Sequence, residues 1–288
     1  MKKRSAFSLI EISIAILVVS ALIFGITQAS SLIKKMRLNT ARRITSSSPV
    51  AGIKDLILQI DATSEGSFKD GEDSDGKTIT DWYDINPQSS SKNNFTQSNS
   101  GFRPTYKENS INGLPSIYFN GSNSRMYNSI KNLSTTFFTN NGDFTIFLVG
   151  NLLPQNQGTA VILQFVDDGG GRMLGLEINN YTKLRMDSNQ VNTGTSNITL
   201  DRNMVISGTS LSGKSTIFLN GAQYSAATAA DIKNVINGRF AIGYYLGTSQ
   251  LFTKAYIGEL IVYGRALTTE ERRSIESYLG RKWGVKVS

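Results

Sequence analysis

The sequence predicts a mainly β protein: a long N-terminal hydrophobic α-helix, then a β-sandwich, then a C-terminal helix. Three observations carry this. Residues 7 to 33 form one apolar run, FSLIEISIAILVVSALIFGITQASSLI, with Glu11 as its single charge. Short apolar or alternating segments, separated by turns rich in Gly and Asn, recur from residue 53 to residue 263. Near the end, Thr268-Thr269-Glu270-Glu271 opens a stretch in which Ile275, Tyr278, Leu279 and Trp283 fall at helical spacing.

The first element is set by charge as much as by hydropathy. The 288 residues carry 30 Lys and Arg against 22 Asp and Glu, a formal +8, with no His and no Cys. Without imidazole or thiol there is no Ser-His-Asp or Cys-His nucleophile, no CxxC redox pair and no zinc site of the usual nitrogen and sulfur type. Enzyme chemistry is left to carboxylates, Lys, Tyr or a hard metal. Residues 1 to 43 hold Lys2, Lys3, Arg4, Lys34, Lys35, Arg37, Arg42 and Arg43 against Glu11 alone, a balance of +7 that leaves +1 for the rest. The head is therefore not expected to bind nucleic acid.

Residues 1–6 read as a basic leader and 7–44 as a helix. At about 1.5 Å per residue the apolar run reaches roughly 40 Å, beyond a hydrocarbon layer of about 30 Å. It is a membrane helix or a signal h-region, and Lys2, Lys3 and Arg4 hold the leader on the cytoplasmic side. Glu11 sits where a carboxylate costs a few kcal/mol in lipid, so it needs a partner or a purpose. The order of basic leader, small residue, Phe7, three uncharged residues and Glu11 resembles the N-terminus of type IV prepilins and pseudopilins. That resemblance implies cleavage between Ala6 and Phe7 by a prepilin peptidase and N-methylation of Phe7. It also implies an assembly role for Glu11, which pairs with the N-terminal ammonium of a neighbouring pilin or pseudopilin subunit. Ala6 stands where the family usually has Gly. An uncleaved signal anchor and a Sec signal are the alternatives.

Ser46-Ser47-Ser48-Pro49 and Gly52 mark 45–52 as a linker that uncouples the helix from the head at 53–288. Strands are expected at 53–60, 79–83, 116–119, 144–149, 160–166, 173–178, 183–186, 204–211, 215–219, 240–245 and 256–263. Asn-Gly dipeptides at 112, 120, 141, 220 and 237 supply hairpin signals. In the last helix Thr268 and Glu271 form a capping box, and Gly280 marks a point of fraying.

The succession LILQIDAT (56–63), ITDWYDI (79–85), RPTYKENSINGLPSIYFNGS (103–122) and IGELIVYGRALTTEERRSIESYLGRKWGV (257–285) resembles the concanavalin A-like, laminin-G-like domains of bacterial surface proteins. The resemblance implies a jelly-roll sandwich that binds glycans or proteins or serves as a spacer; some relatives of the fold hydrolyse polysaccharide.

Candidate sites in the head are few. Hydrolysis of a glycoside needs two carboxyls about 5 to 10 Å apart, and the strand patterns Glu-x-Asp-x-x-Glu and Glu-x-Asp-x-Glu do not begin at Glu177 or Glu259. No enzyme is expected, and Glu270 and Glu271 serve the helix start. Asp70, Glu72, Asp73 and Asp75 are calcium candidates, with a solvated acidic turn as the plainer reading; no other cofactor is expected. Asp167 and Asp168 form a second acidic loop. Trp82, Tyr83, Tyr118, Phe119, Tyr244, Tyr245 and Trp283 could stack on sugars, but most fall in strand patterns that point to a core.

The resulting expectation is a pilin-like, minor subunit of the bacterial inner membrane. It crosses once, with a lectin-like head outside for a glycan or surface-protein ligand. A membrane-anchored glycan-binding adhesin outside any filament is the alternative, and a glycan hydrolase comes third.

Overall fold

The computed structural model describes residues 8–128, 143–166, 172–187, 192–194, 196–212, 214–228, 238–245 and 251–288. Helix α1 spans Leu9–Ser46, and its 38 residues reach roughly 57 Å at about 1.5 Å per residue. Every residue from 8 to 37 is exposed, so among the described residues nothing covers this part of the apolar run. By length and composition it can cross a membrane. Ser13, Ser20 and Thr27 turn their hydroxyls onto carbonyls three or four residues back, which satisfies these polar atoms inside the helix.

After a 3-10 turn at Val50–Gly52 come β1 (Leu56–Asp61), β2 (Asp81–Trp82), β3 (Phe95–Thr96), β4 (Thr105–Ile111), β5 (Leu114–Asn120), β6 (Met126–Asn128), β7 (Phe144–Leu152) and β8 (Thr159–Val166). The chain continues through β9 (Arg172–Asn179), β10 (Lys183–Asp187), β11 (Asn192–Thr193), β12 (Asn203–Leu211), β13 (Lys214–Leu219), β14 (Ala222–Thr228), β15 (Arg239–Ile242) and β16 (Lys254–Tyr263) to helix α2 (Thr269–Trp283). Among the described residues these strands form two eight-stranded antiparallel sheets. One runs β14-β13-β12-β7-β16-β5-β4 with β1 also beside β16; the other runs β11-β10-β9-β8-β15-β6-β3-β2.

The sheets enclose a core that includes Ile60, Trp82, Phe95, Phe119, Leu148 and Phe165. A second core lies on the far side of the first sheet, where Phe147, Val149, Ile261 and Tyr263 meet Ile275, Tyr278, Leu279 and Trp283 of α2. With both faces covered, β7 is an almost unbroken apolar strand. The register shift in β16 between Ile257 and Glu259 changes which side chains face which core. Ile257 and Leu260 both enter the space between the sheets, while Glu259 turns toward α2.

Several sequence expectations need correction. The 45–52 segment does not uncouple helix from head. Ala41 and Val50 are buried in the second core with Ile44 packed on it, and the Tyr263 hydroxyl donates to Val50 O at 2.8 Å. Gly280 is no fraying point: α2 continues to Trp283, and a Cβ on Gly280 would lie 2.7 Å from Val285 O, so the residue permits a close backbone approach. Asn112-Gly113 and Asn220-Gly221, all at positive φ, make the two-residue turns of β4–β5 and β13–β14. Asn120 instead caps a loop, its Oδ1 accepting the amides of Ser122, Asn123 and Ser124. Asn141 and Asn237 lie outside the described residues.

Candidate functional site

At the N-terminal end of α1, Ser8 caps the helix: its hydroxyl accepts the Ile10 amide, and Glu11 Oε2 accepts the Ser8 amide at 2.8 Å. This is a capping box, so Glu11 has a local role in starting the helix whether or not it serves assembly. The Ser-x-x-Glu spacing carried that signal in the sequence. Lys2, Lys3, Arg4, Ala6 and Phe7 lie outside the described residues.

Where α1 meets the head, a charged cluster that sequence reasoning missed joins four elements. Lys282 Nζ lies 2.5 Å from Asp61 Oδ2 and 2.8 Å from Glu259 Oε2, and none of these side chains is exposed. Trp283 Nε1 donates to Glu259 Oε2 at 2.9 Å, and the Tyr278 hydroxyl donates to Oε1 at 2.7 Å. Asp61 Oδ1 takes the Thr63 amide and hydroxyl at 2.9 and 2.8 Å; Oδ2 takes the hydroxyls of Ser64 and, from α1, Thr45. Burial works to raise Asp61, but the Lys282 charge and the Thr63 bonds outweigh it and hold the carboxyl below its ordinary value. For Glu259 burial wins over Lys282, and the neighbouring Asp61 charge adds to the rise. Two buried carboxyls thus behave oppositely around one amine.

The first sheet carries a polar row on its α2 side, beyond the end of that helix. Strand pairings place Thr105, Tyr118, Tyr256, Asn151 and Asn203 side by side across β4, β5, β16, β7 and β12. All five are partly exposed. The Tyr118 and Tyr256 rings sit 5.0 Å apart with a 34° tilt, Asn151 Nδ2 donates to Asn203 Oδ1, and Asn203 Nδ2 donates to Asn112 Oδ1. At about 4.8 Å per strand step the row is roughly 19 Å long. An aromatic pair flanked by amides can offer ring faces for stacking and fixed donors and acceptors beside them.

The other candidates disperse. Among the described residues no three acidic side chains gather around a position for a metal. Glu72 accepts the Thr80 amide and Asp75 the Glu108 amide, Asp73 lines a groove between α1 and the head, and Asp70 lines the adjoining one. Of these four calcium candidates, Glu72 and Asp75 thus anchor the turn through backbone amides. Glu177 is fully buried and pairs with Arg185. Trp82, Phe119 and Trp283 are core residues, while Tyr83, Tyr244 and Tyr245 are half-buried. The loop at Asp167 and Asp168 lies outside the described residues.

Residues 123–271 match the family model of the concanavalin A-like lectin/glucanases superfamily, and the chain belongs to that superfamily. None of the curated proteins matches the chain in sequence. Among solved structures it resembles the Trypanosoma rangeli sialidase in complex with sialic acid at 14% identity and TM-score 0.56, over 90% of this chain and 39% of that one. It also resembles domain 4 of AbnA, a GH43 extracellular arabinanase from Geobacillus stearothermophilus in complex with arabinotriose. There the identity is 17% and the TM-score 0.51, over 78% of this chain and 98% of that domain. The chain spans no more than about two fifths of the length of the sialidases it matches. These likenesses concern the fold. They overturn the expectation that no enzyme is present, because the fold recurs in sialidases and in a domain of an arabinanase. Absence of one strand motif is no ground for excluding activity.

Proposed function

We propose that this chain is a pilin-like or pseudopilin subunit, cut between Ala6 and Phe7 and assembled through α1, that presents a glycan-binding head outside the cytoplasmic membrane. What supports this reading is a helix exposed at every described position from 8 to 37, rising from a lectin-fold head to which its last turns are packed. In the assembled state the exposed apolar run meets lipid or the helices of other subunits, and Glu11 exchanges its capping bond for the ammonium of a neighbour's N-terminus. The rigid joint at Ala41 and Val50 carries the head at a set angle. The Tyr118–Tyr256 row is the proposed ligand platform; one of the solved neighbours is a domain titled as a complex with arabinotriose.

The assembly half is tested by replacing Glu11 with Val. Membrane insertion should persist while the chain disappears from sheared filaments, and unchanged incorporation would refute the role. The head is tested on a glycan array with the full chain in detergent. Signals that survive the double change Tyr118→Ala and Tyr256→Ala would move the binding site elsewhere.

A further inference from the structure

We propose that Lys282 and Asp61 form an intramolecular isopeptide bond, by condensation of their side chains beside Glu259. The proposal goes beyond the assembly and binding roles and does not depend on them. The amine and the carboxyl lie 2.5 Å apart at Nζ and Oδ2, held by β1 and α2, with both side chains wholly removed from solvent. Such a pair needs no diffusion to react, and confinement of this kind lowers the entropy cost of joining two groups. Burial also favours the product. Two charges taken out of water are costly to keep, and an amide carries none.

The surrounding groups match the step atom by atom. The resting state is the ion pair. The Lys282 ammonium passes one proton to Asp61 Oδ2, and the resulting amine lone pair attacks Cγ, forming the C–N bond. Negative charge then develops on Oδ1, where the Thr63 amide and hydroxyl already point at 2.9 and 2.8 Å. Glu259 Oε2, 2.8 Å from Nζ, takes the second proton from nitrogen. Its other oxygen contacts the Tyr278 hydroxyl, which reaches Thr45 Oγ1 at 3.4 Å, and Thr45 Oγ1 lies 3.1 Å from Asp61 Oδ2. Through that chain the proton arrives at Oδ2, the C–O bond breaks and one water leaves. Nothing is oxidised or reduced, and no co-reactant is consumed. The raised affinity of Glu259 for protons, caused by its burial, suits the carrier role. The bond would tie the first strand of the head to its last helix across 221 residues of chain. Tension along α1 from a membrane or filament would then meet a covalent stop.

The test is mass spectrometry of the full chain, extracted in detergent, unfolded and digested with trypsin. The expected product joins residues 55–69 to residues 282–286 with the loss of one water, about 18 Da, and peptide 283–286 is absent. Glu259→Gln keeps the size of the side chain, and Lys282→Arg keeps the charge; both should give the peptides unlinked. Thr45→Val should slow the appearance of the linked product in a pulse-chase. Wild-type chain that yields only separate peptides of full mass would overturn the proposal. Linkage at the wild-type rate in Glu259→Gln would overturn the role given to that residue.

Discussion

Trp283 tests whether α2 is a structural layer of the sandwich or an appendage. Its ring is fully buried in the second core, it lies over Gly258, where an added Cβ would come within 2.5 Å of the ring, and its Nε1 donates to buried Glu259. Removing a core Trp side chain to Ala costs about 3–5 kcal/mol. Loss of a hydrogen bond to a charged buried acceptor adds about 1.5–3 kcal/mol, although the two overlap. Trp283→Ala should therefore destabilise the protein by at least about 4 kcal/mol, much of a total stability of roughly 5–15 kcal/mol. Trp283→Phe retains most of the packing and loses the donor, so about 1–3 kcal/mol is expected. Urea unfolding of the full chain in detergent, followed by circular dichroism of the β signal, gives both values. A Trp283→Ala chain within about 1 kcal/mol of wild type would show that the second core does not depend on α2.

Three further outcomes follow from the same geometry. Gly258→Ala should cost about 1–3 kcal/mol by overpacking against Trp283, and most of that cost should vanish in the Trp283→Ala background, measured as a double-mutant cycle. Tyr263→Phe removes the donor to Val50 O, so amide exchange at 47–52 should accelerate while β7 stays protected. The hydrogen bonds of Arg265, reinforced by the Thr268 amide, lower Glu271 from the ordinary 4.5 to about 2. Because the folded value is depressed, its stabilising contribution is complete above about pH 4.5 and is lost as pH falls toward 2. An acid-unfolding series should show a shallower slope in that window for Glu271→Gln.

The sandwich was legible where local chemistry and global fold agree. Apolar β7, the Asn-Gly turns at 112 and 220 and the Thr268 capping box each specify their element within a few residues. β4 was not legible: TYKENSI buries only Tyr106 and Ile111, and a mostly solvated strand loses the alternation that marks one. β3 and β6, of two or three residues each, are too short to show a period, while the strand expected at 79–83 forms only as the two residues of β2. The junction between helix and head was misread because Ser and Pro signal a break in helix, not a break in packing, and Val50 packs regardless. The charged cluster was hidden for a different reason. Asp61 and Lys282 are 221 residues apart, and only the fold brings them together. A residual signal existed in Lys282 itself, which follows the core positions Tyr278 and Leu279 by four and three residues on α2 and so shares their face.

The proposed function turns on what happens at Phe7. The decisive measurement is the N-terminal sequence and mass of the chain recovered from membranes. A start at Phe7 carrying one added methyl group is expected; a start at Met1, or at a residue beyond the apolar run, would contradict assembly as a processed pilin-like subunit.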